Sequence, residues 1–397
     1  MEIAGKINIL FDNTKTAFKL KSDSELERAY FLFKMIANEP LVRIGTAVTN
    51  FALKAHLPVQ GLIRATVFDH FCGGVDEQDC MPVIDKMYIE GKVSSVLDYS
   101  VEGKEEEEQF NAACRKILRI LDFVEEKEAI PFGVFKPTGF GRFKLWEKKA
   151  SQEKLTVQEE EEWNRIVKRF HIVCKKAHDC EIPLLIDAEE SWMQNAADEL
   201  VTEMMRIYNK KKAIIYNTLQ LYRHDRQAYL ESLHRMAKQE GFIVGMKIVR
   251  GAYIEKENER ALEKGYPTPI CPNKQATDEN FDRTLTYILS NLNEISVFIG
   301  THNEQSCQKA MDLMNSKGID KQDFRVWFGQ LYGMSDHISF NMAEESYNVA
   351  KYLPFGPVRD VMPYLIRRAE ENTSVAGQTT RELNLLSKER KRRKLED

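Results

Sequence analysis

From residue 93 onward, short apolar runs alternate with longer amphipathic stretches. The runs are VSSVLDYSV (93–101), PFGVFKP (131–137), IPLLIDA (182–188), AIIYNTLQ (213–220), FIVGMKIVRG (242–251), ISVFIGTHN (295–303), FRVWFGQL (324–331) and VAKYLPF (349–355). Runs of this length, rich in β-branched residues, suit strands buried on both faces, while the stretches between them repeat apolar residues at helical spacing. Eight strand–helix units predict a single (β/α)8 TIM-like barrel. A doubly wound open sheet is the competing architecture. When such a sheet binds a dinucleotide it carries a glycine-rich turn after its first strand, and no GxGxxG occurs here. Upstream, ELERAYFLFKMIAN, LVRIGTAVTNFALKAH and LIRATVFDHF predict helices. The expected organisation is an N-terminal helical arm (1–90), a barrel (91–376) and a charged C-terminal tail (377–397).

Each apolar run ends in polar residues: Asp98 and Glu102, Lys136, Asp187 and Glu189, Gln220, Lys247 and Arg250, Thr301 and His302, Gln330, and Tyr352. In a barrel the C-terminal strand ends share one face, where active sites are built. Any one of these residues fits a helix cap or a solvated loop equally well, so the inference rests on all eight ends together. The set has no Cys or Ser beside a base, which disfavours hydrolysis by an activated nucleophile. His171, Cys174, His178 and Cys180 are the best metal candidates, yet the first three share one helical face and suit packing, so no metal is expected.

The remaining set is cationic: Lys136, Lys247, Arg250, Arg367 and Arg368 stand against Asp98, Glu102, Asp187 and Glu371, with Tyr253, Tyr352 and Tyr364 among them. Such a site favours a small anion or zwitterion. In KYLPFGPVRDVMPYLIRRAEEN (351–372), two adjacent guanidiniums could hold both oxygens of one carboxylate. The four-residue spacings Tyr364–Arg368 and Arg367–Glu371 also suit an ordinary salt-bridged surface. In MKIVRGAY, Arg250 precedes Gly251 and Ala252, whose small side chains let backbone N–H groups approach a phosphate or a flat ring. That favours an organic cofactor. Thr301 and His302 could hold its phosphates or sugar, although Thr301 and Asn303 serve as well for capping.

A formal net charge of −4 over 397 residues gives no basic field for nucleic acid. Seven scattered cysteines without a CxxC suit free thiols in a reducing compartment, and no run of 18 apolar residues spans a membrane. The opening MEIAGKINILFDNTKTAFKL lacks the apolar centre of a signal peptide, so a cytoplasmic protein is expected. KEEEEQ (104–109) and the expected insertion KLWEKKASQEKLTVQEEEEWNRI (144–166) read as solvated helix faces or helix starts, the latter with a regulatory or oligomer contact as the alternative. The tail RELNLLSKERKRRKLED reads as a solvated, disordered end. Its functional alternative is contact with an anionic membrane surface.

DAE (187–189), KIVRGAY (247–253), THN (301–303), FGQLYGM (328–334) and the run from Tyr352 through Asn372 together resemble the proline dehydrogenase family, in its order and spacing. The likeness covers roughly residues 93–375 and is nearest the short, monofunctional members. It implies a distorted (β/α)8 barrel with non-covalent FAD that oxidises L-proline to Δ1-pyrroline-5-carboxylate by hydride transfer to flavin N5 and passes electrons to a membrane quinone. By motif, Arg367 and Arg368 would clamp the substrate carboxylate, Lys136 and Tyr352 complete the pocket, and Leu331 and Tyr364 close over the ring. Asp187 and Lys247 would stand at the reacting centre. Cofactor contacts would come from Ala188, Gln220, Lys247, Arg250, Gly251, Ala252, Thr301, His302 and Glu371, with Glu102 as a gate. Lys247 departs from the Arg of many bacterial members and offers a point charge in place of a planar fork. The rival hydroxyproline dehydrogenases are expected to carry a smaller residue where Tyr352 stands. A non-catalytic barrel would have lost the clamp or the flavin set, and this sequence has lost neither.

Overall fold

The computed structural model describes residues 10–38, 40, 61, 64–100, 105–374 and 378–395. Eight parallel strands form a nearly closed (β/α)8 barrel: β1 (Ser94–Tyr99), β2 (Gly133–Phe135), β3 (Leu184–Ile186), β4 (Ile215–Gln220), β5 (Val244–Val249), β6 (Ile295–Gly300), β7 (Val326–Leu331) and β8 (Val349–Phe355). The sheet order is β1-β8-β7-β6-β5-β4-β3-β2. Every expected strand is present, each inside its predicted run.

The described chain divides into two compact units, Gly103–Phe328 and Met1–Glu102 with Gly329–Asp397. In the first of these, helix α3 (Glu107–Val124) and helices α4 (Phe143–Ala150) and α5 (Val157–Asp179) flank β2, and α6 (Ser191–Tyr208) follows β3. Helix α7 (Arg226–Glu240) follows β4, α8 (Ile254–Lys264) and α9 (Lys274–Ser290) follow β5, and α10 (Glu304–Ser316) follows β6. Side-chain caps set several starts: Thr156 and Glu159 form a reciprocal capping box on α5, and Asn273 accepts from the Ala276 N–H on α9. Phe132 lies edge-on to Tyr216, Phe298 and Trp327, an aromatic layer drawn from β4, β6 and β7.

KEEEEQ does supply a helix start, with Glu106 and Gln109 forming the capping box of α3. The 144–166 segment supplies the expected helix faces and a capped helix start, but it is not an insertion. It is the β2–β3 crossover itself, and Trp146 (fully buried) and Trp163 pack edge to face at 4.9 Å. Two tryptophans at a spacing of 17 carry the apolar side of a stretch whose charges mask it.

In the other unit, α1 (Asp23–Ile36) and α2 (Glu77–Asp85) precede β1, α11 (Asp336–Glu344) follows β7, and α12 (Met362–Ser374) and α13 (Gln378–Arg392) follow β8. The expected stretch LVRIGTAVTNFALKAH lies outside the described residues. Within this unit Phe18, Leu26, Ala29 and Phe33 share one core with Leu385 and Leu386.

The tail is not a disordered end but helix α13. Arg390 pairs with Glu27 at 2.6 Å and lies 4.0 Å over the Tyr30 ring. Arg393 reaches Asp23 at 3.0 Å and Glu389 at 2.8 Å, while Lys388 donates to the Asp12 carbonyl. A run that looked like a solvated polycation has an apolar stripe, Leu383, Leu385 and Leu386, and acidic partners on α1 that folding brings to it. No described helix is long and apolar enough to cross a membrane.

Candidate active site

In the unit of residues 103–328, strands β2, β3 and β5 deliver one carboxylate and two ammonium groups to their C-terminal ends. The Asp187 N–H continues the ladder by donating to the Phe135 carbonyl at 3.0 Å, which sets Asp187 beside Lys136. One Asp187 oxygen accepts from the Lys247 ammonium, and the other stands 3.9 Å from that of Lys136. Lys247 is buried, so a charge that is costly to desolvate is offset by its carboxylate partner.

Two residues beyond Lys136 and Asp187, the Thr138 amide and hydroxyl donate to Glu189 at 3.0 and 2.7 Å. Burial pushes the Glu189 carboxyl up to about 7, against the opposing pull of Thr138 and Lys136. The Glu189 carbonyl in turn accepts from Gln220 Nε2 at 3.0 Å. Gln220 Oε1 is buried with no hydrogen-bond partner, an acceptor facing a missing donor.

After β5 the chain turns sharply. Gly251 has φ +126°, and a Cβ there would lie 1.7 Å from Tyr222 Cε1. No other residue fits. The preceding Arg250 is held on three sides, by Asp278 at 2.7 Å, Thr301 Oγ1 at 2.9 Å and Ser306 Oγ at 2.9 Å, with its guanidinium 4.4 Å over Phe281. The Asn303 N–H donates to Thr301 Oγ1, and Asn303 Oδ1 accepts from Ser306 N–H, so this stretch both caps α10 and seats Arg250. His302 and Ala188 are half-buried beside these groups in the sequence, and Ala252 is exposed.

The unit of residues 1–102 and 329–397 holds the rest of the expected set. Helix α12 places Tyr364 and Arg368 one turn apart, with the guanidinium 5.2 Å over the phenol ring and both side chains buried. Arg367 is half-buried. Tyr364 belongs to a core with Phe68, Phe71, Met334 and Leu365, against which Leu331 packs. Tyr352 is buried on β8, and its carbonyl accepts from the Tyr332 N–H at 2.8 Å. Glu102 lies outside the described residues, as does the side chain of Glu371.

A family profile described as proline dehydrogenase matches residues 81–381. The chain belongs to the proline dehydrogenase family. Membership makes it an oxidoreductase of the class acting on CH–NH donors. The chain is 34% identical to the carbapenem antibiotics biosynthesis protein CarD of Pectobacterium carotovorum, over 91% of this chain and 94% of that one. It is 30% identical to the mitochondrial proline dehydrogenase 1 of Arabidopsis thaliana, over 97% and 85%. With human mitochondrial proline dehydrogenase 1 the identity is 40%, but the match takes in 59% of this chain and only 39% of the human protein. Among solved structures, proline utilization A from Bdellovibrio bacteriovorus superposes with a TM-score of 0.74 at 18% identity, over 97% of this chain and 43% of that one. That likeness concerns the fold.

The groups that hold several of these side chains were not among the residues expected from the sequence. Asp278 and Ser306 seat Arg250 from two different helices, and Thr138 ties β2 to Glu189.

Proposed function

We propose that this protein oxidises L-proline to Δ1-pyrroline-5-carboxylate using non-covalent FAD, with a membrane quinone as the final electron acceptor. The observation that carries this reading is the strand-end set of Lys136, Asp187 and Lys247, one carboxylate between two ammonium groups. The same unit suits a flavin: the Gln220 acceptor lacks a donor, and Arg250 is fixed between two hydroxyls. When bound there, the flavin would accept the hydride from the carbon beside the proline nitrogen.

The chain's own residues do the rest. Arg367 and Arg368 offer the bidentate geometry that a carboxylate needs. A hydride leaves that carbon only when the nitrogen lone pair is free, so the bound amine must be neutral. Lys136, Arg367 and Arg368 favour that deprotonated amine, and Asp187 keeps the two lysines oriented. Lys247 presents its charge from a buried position, where electrostatic effects are strong. Gln220, Arg250, Gly251, Ala252, Thr301, His302, Ala188 and Glu371 are assigned to the flavin, Tyr352, Leu331 and Tyr364 to the proline ring, and Glu102 to a gate.

Tyr352 fills the place where hydroxyproline would need room, which favours proline. On this reading the protein works in the cytoplasm and meets its quinone at the inner membrane face. Contact there would use a surface other than α13, whose Arg390 and Arg393 are already engaged.

The test is a visible spectrum of the purified protein before and after anaerobic addition of L-proline. Flavin bands that bleach with proline and hardly with hydroxyproline support the assignment, while a protein that takes up no FAD refutes it.

A further inference from the structure

The turn after β7, residues 331–336, is braced from four directions, and none of the braces belongs to the substrate set. Gly333 has φ +80°, and a Cβ there would lie 2.4 Å from the His70 carbonyl oxygen, so only glycine fits. The Gly333 carbonyl accepts from His70 Nε2 at 2.9 Å. Burial holds His70 down to about 3, which leaves a neutral ring with its proton on Nε2. Lys351, fully buried on β8, donates to the Met334 carbonyl and to Asp336 Oδ1 at 2.7 Å, and Lys21 reaches Asp336 Oδ2 at 3.1 Å.

Ser335 has φ +51°, a left-handed conformation that a non-glycine residue keeps only when its surroundings hold it. Its carbonyl accepts from the Ile338 and Ser339 N–H groups, and its amide is held by Glu382 on α13. The Ser335 N–H donates to Glu382 Oε1, and His337 Nδ1 lies 3.9 Å from the same oxygen. Glu382 is 3% exposed. A carboxylate is a costly group to bury when an apolar residue would fill the space, and its close contact here is one strained amide.

We propose that Glu382, supported by the Lys351–Asp336 pair, is a positioning residue for the Leu331–Ser335 turn, so that the C-terminal helix sets how firmly Leu331 and Tyr352 hold the substrate. The link to Tyr352 is the Tyr332 N–H bond to its carbonyl. The inference rests on the assignment of Leu331 and Tyr352 to the proline ring.

The experiment uses the full chain loaded with FAD and compares wild type with Glu382→Ala and Glu382→Gln. Alanine removes the acceptor, and KM for L-proline should rise about tenfold with kcat within about twofold. Glutamine keeps Oε1 and should restore most of the affinity, which a loss of charge alone would not do. Glu382→Asp, which withdraws the acceptor by one methylene, replaces the alanine variant if that does not fold, and should raise KM severalfold. An unchanged KM in the alanine or aspartate variant, or equal losses for alanine and glutamine, overturns the proposal. Amide exchange over residues 331–336, measured without substrate, reads the brace directly. Faster exchange confined to that turn supports it, and unchanged exchange refutes it. Because exchange needs no turnover, a wild-type protein inactive on proline that still shows this difference would keep the brace and refute the proline assignment.

Discussion

Replacing Gly251 with alanine should be among the most damaging single-methyl additions in the chain. Two costs add. The backbone at φ +126° is one that L side chains rarely adopt, worth about 1–3 kcal/mol. The new Cβ would also stand 1.7 Å from Tyr222 Cε1 and 1.8 Å from Cδ1. Tyr222 cannot retreat, since it is fully buried and its N–H is tied to the Arg250 carbonyl at 2.7 Å, one residue from the site of change. Overpacking of this kind costs about 1–3 kcal/mol more. The sum is about 2–6 kcal/mol, a large share of the stability of an ordinary domain. Urea unfolding followed by circular dichroism would measure it, with flavin per chain determined on the same samples. Adding Tyr222→Leu should recover the overpacking share and leave the backbone share, about 1–3 kcal/mol. An alanine variant within about 0.5 kcal/mol of wild type, the range of an ordinary surface substitution, and with full flavin content, would refute this account of the turn.

Asp187→Asn should leave Lys247 buried without a counter-charge, costing about 3–5 kcal/mol in urea unfolding and abolishing proline-dependent bleaching. Asp336→Asn should cost a similar amount by stranding Lys351, and adding Lys351→Met should recover most of it in the same unfolding assay. Glu189 gives a pH signature. Its carboxyl is raised from an ordinary 4.5 to about 7, so between those values the folded chain holds a proton that the unfolded chain releases. Its contribution to stability is therefore present below about pH 4.5 and is lost as pH rises to about 7, by up to about 3 kcal/mol. Glu189→Gln should flatten that slope in unfolding curves taken across the window, and an unchanged slope would count against the assignment.

The barrel was legible because each of its strands is a dense apolar run closed by polar residues, a pattern that little else in a chain produces. The strand-end residues were legible for the same reason, since Lys136, Asp187 and Lys247 interrupt apolar runs at matching positions. What stayed hidden depends on pairings between distant residues. Trp146 and Trp163 sit among lysines and glutamates, and only their mutual packing shows them to be core. The basic tail looked solvated because its partners, Asp23 and Glu27, lie more than 360 positions upstream. Glu382 gave no signal at all, because its partner is a backbone amide and any residue carries one.

The shared core of α1 and α13 has a consequence for how the chain is made. Phe33 leaves the ribosome 353 positions before Leu386, so its apolar face cannot find its native cover until α13 emerges. At about 5–20 residues per second, that delay is roughly 20–70 seconds. Residues 103–328 are contiguous and are synthesised before α13, so the two segments that share this core meet only after the whole intervening unit has been made.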